Sequence, residues 1–222
     1  TGQYYFDIHP PLGKLLIAGF AKLNGLNPAS FGFEHIGQAG AEKMFFILRF
    51  LPALFGSLFP LALAWLAWLL TRSKRAALIA GFLVLADNAF LAQSRFILVD
   101  AFLLFFEITA LCFFLLSLRQ KSFSKKWFLY FTLTGLLFGL TVSVKWTGLA
   151  ILGIFGAILL AKIFNQEMAK FLKMNDHLPK IEKMKESAVS LVLIVLIGSF
   201  IYLFPFAVHF KLLPRSGQGN AF

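Results

Sequence analysis

The chain has 222 residues, of which 59% are hydrophobic, 17% aromatic and only 14% charged, where a soluble domain carries roughly 25% charged residues. That leaves too little polar surface to cover a water-soluble domain, so the solvent is lipid. The formal charge of +11 would suit nucleic acid if the basic residues formed one stripe, but most lie in short links between apolar runs; membrane lipids are therefore the expected partner, and nucleic acid is not.

Residues 1–44 contain no full span. The run 12–26 is too short to cross hydrocarbon and is interrupted by Lys14, Gly19, Lys22 and Gly25. Pro10 and Pro11 pre-set the backbone for a helix start, so this run reads as a juxtamembrane or partly re-entrant helix, followed by an outer loop to Lys43. Six full crossings are predicted within 45–209, at 45–70, 76–92, 101–118, 127–144, 146–163 and 187–208. None shows the period-two alternation of a barrel strand, so the fold class is all-α, a polytopic transmembrane helical bundle. The stretch 164–186 is of mixed charge and reads as an amphipathic helix on the membrane surface. Residues 210–222 open another outer loop.

Links 71–75, 119–126 and 164–186 carry three, four and five Lys or Arg, twelve in all against seven on the opposite side. The positive-inside bias places those links in the cytoplasm and both chain ends outside it. The chain starts at Thr1 without an initiator Met and stops in the polar stretch Ser216-Gly217-Gln218-Gly219-Asn220, so we read it as an internal segment of a longer protein. Cys112 lies in an apolar run and reads as a packed hydrophobe.

Ionisable groups at membrane depth are costly and face a partner, a cavity or a substrate. Those singled out by the sequence gather near the outer ends of the spans. Asp7, His9 and Lys14 flank the double proline; Arg95 and Asp100 lie in the link between the second and third spans; Lys145 separates the fourth from the fifth; and Arg49 lies near the start of the first, with Pro52 to bend it. Each has an ordinary reading as well. Arg95 and Asp100 can pair with each other, Lys145 can snorkel beside Trp146, and Arg49 can serve packing. His209 and Lys211 read as interface residues, while Asp87 in the second span is placed toward the bundle interior. If Arg49, Arg95 and Lys145 converge, they make a receptor for an anionic headgroup whose tail stays in lipid.

Four segments carry a family resemblance. Phe6-Asp7-Ile8-His9-Pro10-Pro11-Leu12-Gly13-Lys14, Gln93-Ser94-Arg95-Phe96-Ile97-Leu98-Val99-Asp100, Val144-Lys145-Trp146-Thr147-Gly148 and Ser216-Gly217-Gln218-Gly219-Asn220-Ala221-Phe222 resemble, in order, segments of dolichyl-phosphate-mannose protein mannosyltransferases, the protein O-mannosyltransferase family. The resemblance implies a glycosyltransferase fold of the GT-C type, with the active site outside the cytoplasm. The donor would be mannose on a polyprenyl phosphate and the acceptor a Ser or Thr hydroxyl of a polypeptide, with inversion at the anomeric carbon. The family's best known catalytic feature, an Asp-Glu pair after the first membrane helix, does not occur in these 222 residues. The segment alone is therefore expected to transfer no mannose.

On the donor side we place Arg95, Lys145 and Arg49 against the lipid phosphate, with Asp100 holding Arg95; Asp7 and His9 support the acceptor side. No cofactor or metal is implied, since His9, His35, His177 and His209 are scattered. A related transferase of the aminoarabinose type is the alternative; a transporter fits less well, because the spans read as nearly uninterrupted. The compact loops and the lack of an Asn-x-Ser/Thr site favour a bacterial plasma membrane over the endoplasmic reticulum.

Overall fold

The computed structural model describes residues 8–27, 42–174 and 178–215. The side expected outside the cytoplasm is called outer below.

Helix α1 (Leu12–Leu23) opens directly after the double proline, with Leu15 N–H donating to Pro11 O at 2.9 Å. It buries Gly13, Ile17 and Ala21, four residues apart and so on one face. Five spans follow the apolar runs: α2 (Glu42–Thr71), α5 (Asp100–Leu118), α6 (Lys125–Val144), a 3-10 turn at Trp146–Leu149 that leads into α7 (Ala150–Phe164), and α9 (Lys180–Leu212). Helix α2 continues through Pro52 and Pro60, and α9 through Pro205.

Two expectations are corrected. The predicted second span is not one helix: α3 (Lys74–Ala86) and α4 (Asn88–Arg95) meet at a 63° bend. Asp87 makes the break. Its backbone is extended (φ −74°, ψ 108°), and its Oδ1 accepts from Phe90 N–H at 2.9 Å. An N-cap carboxylate satisfies a donor left open at a helix start, so Asp87 begins a new helix from an exposed position instead of facing the interior. The stretch 164–186, in turn, is not one surface helix. It divides into α8 (Gln166–Phe171), capped by Asn165, and the first turns of α9.

Helices α5 and α6 occupy the middle, with α2 against one side and α9 against the other. Around Phe114, Trp127, Phe131, Phe155 and Ile194 they form the larger core cluster, and Phe102, Phe106, Ile17 and Val144 form the outer one. In lipid, helices associate by close packing rather than by hydrophobic exclusion from water. The α6–α9 seam shows it: a Cβ on Gly139 would stand 2.6 Å from Gly198 O, and one on Gly198 would stand 2.5 Å from Phe138 Cδ1.

Polar bolts fix the inner end. Arg119 donates from Nη2 to Leu69 O at 2.7 Å and from Nε to Leu172 O at 3.1 Å, tying the ends of α2, α5 and α8 together. Burial, and after it the nearby Arg72 charge, hold its guanidinium below the usual arginine range. Nearby, Lys162 Nζ of α7 lies 2.8 Å from Glu186 Oε1 of α9, with both side chains essentially buried. The ammonium is close enough for an ion pair but is not aligned for a hydrogen bond. Trp127 Nε1 and Ser122 Oγ each donate to Glu186 at 2.9 Å.

Candidate functional site

Helix α6 stops at Val144 because Lys145 turns extended (φ −157°, ψ 137°) before the 3-10 turn, although its N–H still donates to Thr141 O. That single extended residue swings the lysine sideways. Its Nζ donates to Asp100 Oδ1 at 2.9 Å, with 26% and 31% of the two side chains exposed. Asp100 is the first residue of α5, where the open N–H groups of a helix start favour a carboxylate.

The start of α1 lies against this junction. A Cβ on Gly13 would stand 2.5 Å from Val99 Cγ1 and 3.6 Å from Val144 Cγ1, the residues just before Asp100 and Lys145. Only a glycine lets the helix come so close. Pro10 and Pro11 are buried and His9 is half-buried beside them. Residues 8–14, 93–100 and 144–148 are thereby brought to one outer corner of the bundle.

The remaining candidates fare differently. Arg95 ends α4 and is exposed; no described residue pairs with it. Asp100 thus holds Lys145 and not Arg95, because the break after α6 gives the lysine the shorter reach. Arg49 is exposed on α2 with its guanidinium carbon 5.3 Å from the Phe45 ring centroid, in a cleft of about 460 Å³ lined also by Glu42, Phe46 and Phe50. No hydrogen bond or ion pair joins Arg49 or Arg95 to Lys145 among the described residues. Asp7 lies outside the described residues, as do His35, His177 and the segment from Ser216 to Phe222. His209, in the last turn of α9, is 9% exposed. Among the described residues, no three His, Cys, Asp or Glu gather as a metal site would require.

An apolar groove of about 430 Å³ runs between α6, α7 and α9, lined by Phe138, Val142, Trp146, Leu152 and Val195; Lys145 is not among its lining residues. Trp146 Nε1 donates to the Tyr202 hydroxyl at 3.1 Å, joining the 3-10 turn to α9. The groove suits a hydrocarbon tail, and Trp146 in its lining is the chain neighbour of Lys145.

The model of one protein family, described as dolichyl-phosphate-mannose-protein mannosyltransferase, matches residues 1–214. The chain belongs to that family. Among its mannosyltransferase relatives, dolichyl-phosphate-mannose–protein mannosyltransferase 6 of Saccharomyces cerevisiae is 35% identical, covering 99% of this chain and 28% of the relative. Protein O-mannosyltransferase 1 of Drosophila melanogaster is 33% identical over 98% of this chain and 24% of its own length. The chain thus spans about a quarter of the relatives it matches. The solved S. cerevisiae Pmt1-Pmt2 complex bound to the sugar donor superposes on all of this chain and 29% of that one, with a TM-score of 0.85 and 27% identity. The archaeal oligosaccharyltransferase AglB from Archaeoglobus fulgidus gives a TM-score of 0.67 at 23% identity, over 96% of this chain and 25% of that one, which speaks for the fold alone. The chain has the GT-C type of fold and is an integral membrane protein. The yeast and fly relatives are eukaryotic, and the bacterial plasma membrane favoured from the loops finds no support in them.

Three ionisable groups were not singled out from the sequence, where the candidates were the groups near the outer end and Asp87. Lys162 and Glu186 form the inner pair, and Glu107 sits within α5. Each is a charge in or beside an apolar run, a signal that was present. That Lys162 would meet Glu186 across two helices was not.

Proposed function

We propose that the whole protein transfers mannose from a dolichyl-type phosphate donor to Ser or Thr hydroxyls of polypeptides, with inversion, outside the cytoplasm and in the endoplasmic reticulum membrane. The observation that carries the reading is the Lys145–Asp100 pair at the outer end of α5, with the start of α1 packed on Val99 and Val144, the residues just before each of them. As the acceptor oxygen bonds to the anomeric carbon, the bond to the phosphate oxygen breaks and negative charge builds on the departing lipid phosphate. A fixed ammonium stabilises that charge more in the transition state than in the ground state. Asp100 keeps Lys145 aimed, and the exposed guanidinium of Arg95 offers a two-pronged donor to the same phosphate. The groove takes the start of the polyprenyl tail. His9 and Asp7 belong to the acceptor side, and the proton passes to the family's acidic pair, which these residues do not include. Transfer of aminoarabinose and membrane transport have no counterpart among the relatives named above.

In the full-length enzyme, Lys145→Ala and Arg95→Ala should each lower mannose transfer by ~10²-fold while leaving the yield of folded protein intact. Arg95→Lys should recover only part, since it keeps the charge and loses the fork. The measurement is labelled mannose transferred from the lipid donor to a Ser/Thr-rich peptide. Wild-type rates in both alanine variants would reduce the two residues to helix anchors.

A further inference from the structure

Lys145 makes its pair with Asp100 from a backbone that is itself tied down. Its N–H donates to Thr141 O at 3.2 Å, and its carbonyl accepts from Gly148 N–H at 3.0 Å. Gly148 lies so near the end of α6 that a Cβ on it would stand 2.5 Å from Thr141 Cγ2. Those ties are local. A further one reaches another helix, where Trp146 Nε1 donates to the Tyr202 hydroxyl of α9. An interfacial tryptophan that only anchors a helix leaves its N–H to the headgroups; this one commits it to the protein.

The bond closes a ring of protein around the lysine. Helices α6 and α9 meet at Gly139 and Gly198, where a Cβ on the first would stand 2.6 Å from the carbonyl oxygen of the second. Lys145 follows Gly139 by six residues, and Tyr202 follows Gly198 by four. From that seam both helices run toward the outer end, and the indole and the phenol join them again there. Tyr202 is well seated for this: it is half-buried against the larger core cluster, with its ring centroid 5.1 Å from that of Phe206. Once the phenol is fixed, so is the Trp146 side chain. The ψ angle of Lys145, which turns the peptide between residues 145 and 146, then cannot rotate without breaking the bond to Tyr202.

We infer that Tyr202 is a positioning residue for mannose transfer: through Trp146 it locks the backbone at Lys145, and with it the direction in which the ammonium meets the lipid phosphate. The inference rests on the reading of Lys145 given above. Asp100 holds the tip of the lysine and Tyr202 holds its root. Tyr202 acts through Lys145 and touches no reacting atom. A loosened root keeps the charge and the fold but misplaces the ammonium, and a misplacement of ~1 Å can cost ~10²-fold in rate.

The test uses the full-length enzyme, with kcat and the donor KM measured for transfer of labelled mannose to a Ser/Thr-rich peptide. Tyr202→Phe removes the acceptor and keeps the ring that lines the groove. It should lower kcat about tenfold and leave the donor KM within about twofold, because the loss lies in aim and not in binding. Trp146→Phe removes the donor of the same bond, so the double variant should be no slower than the slower single one. The deciding arm is Tyr202→Phe in a Lys145→Ala background, where no ammonium is left to aim and transfer should change by less than about twofold. Wild-type kcat in Tyr202→Phe, a loss confined to KM, or the same loss with and without Lys145 would each overturn the inference and leave the role of Lys145 standing. A wild-type rate in Lys145→Ala alone would instead bring down the reading of the lysine, and the inference with it.

Discussion

Gly13 and Lys145 do the most to assemble the outer corner. Gly13 admits α1 to the junction because it has no Cβ, and the atom it lacks would fall 2.5 Å from Val99 Cγ1. Gly13→Ala should push α1 away from Val99 and cost ~1–3 kcal/mol, the usual penalty for overpacking, with transfer falling further than stability as the His9 segment moves. Val99→Ala in the same protein removes the nearest methyl and should return part of both. Thermal midpoints and transfer rates of the single and double variants check this; additive losses would mean that the two side chains do not meet. The residues of this corner were legible as a group, since each is a charge or a double proline beside an apolar run. Their pairing was not. Asp100 is five residues from Arg95 and 45 from Lys145, and proximity in sequence pointed to the arginine. Nothing in the local pattern reveals that one extended residue after α6 carries the lysine across.

For helices, an apolar run of ~20 residues is a strong signal because the bilayer leaves few other ways to satisfy a backbone, and five of six predicted crossings are single spans. The second is a bent pair, and the reason lies in Asp87. Hydropathy averages over a window and passes across one carboxylate; capping chemistry does not. Asp87→Ala removes the acceptor for Phe90 N–H and should lower stability by ~1 kcal/mol, whereas Asp87→Asn should be nearly neutral because asparagine caps as well. A thermal midpoint equally lowered by both would assign the effect to the charge and not to the cap. Since α4 ends in Arg95 and packs Ser94 against Gly56 of α2, the break also sets where that guanidinium emerges. The stretch 164–186 was misread for a related reason. Its apolar residues are spaced as for a surface helix, but Pro179 restarts the backbone and the following turns belong to a 33-residue helix.

At the scale of the bundle, the distribution of cations fixes the sidedness expected of the chain. Single cysteines at Ser73, Ser122 and Thr147 of the full-length protein, with Cys112 replaced by alanine, should divide into two positions closed to an impermeant thiol reagent applied from outside and one open to it. Labelling of all three from one side would refute the orientation. The inner links owe their charge to more than orientation, however. Arg119 spends its charge on the carbonyls of α2 and α8, and Lys162 on Glu186.

That buried pair carries an implication for biogenesis. Lys162 closes α7 and Glu186 enters 24 residues later, an interval of roughly 1–5 s at ordinary translation rates of ~5–20 residues per second. During it the ammonium lacks its Glu186 partner, and it lies at the membrane border, where a lysine can reach water along its own stem. Desolvation is thus deferred until α9 arrives with the counter-charge, and with the Trp127 and Ser122 donors already waiting on the ribosome-proximal side. We expect nascent chains stalled before Glu186 to leave Lys162 open to an amine-reactive reagent, and chains stalled after α9 to shield it. Equal modification at both stages would show that the pair closes later than membrane insertion.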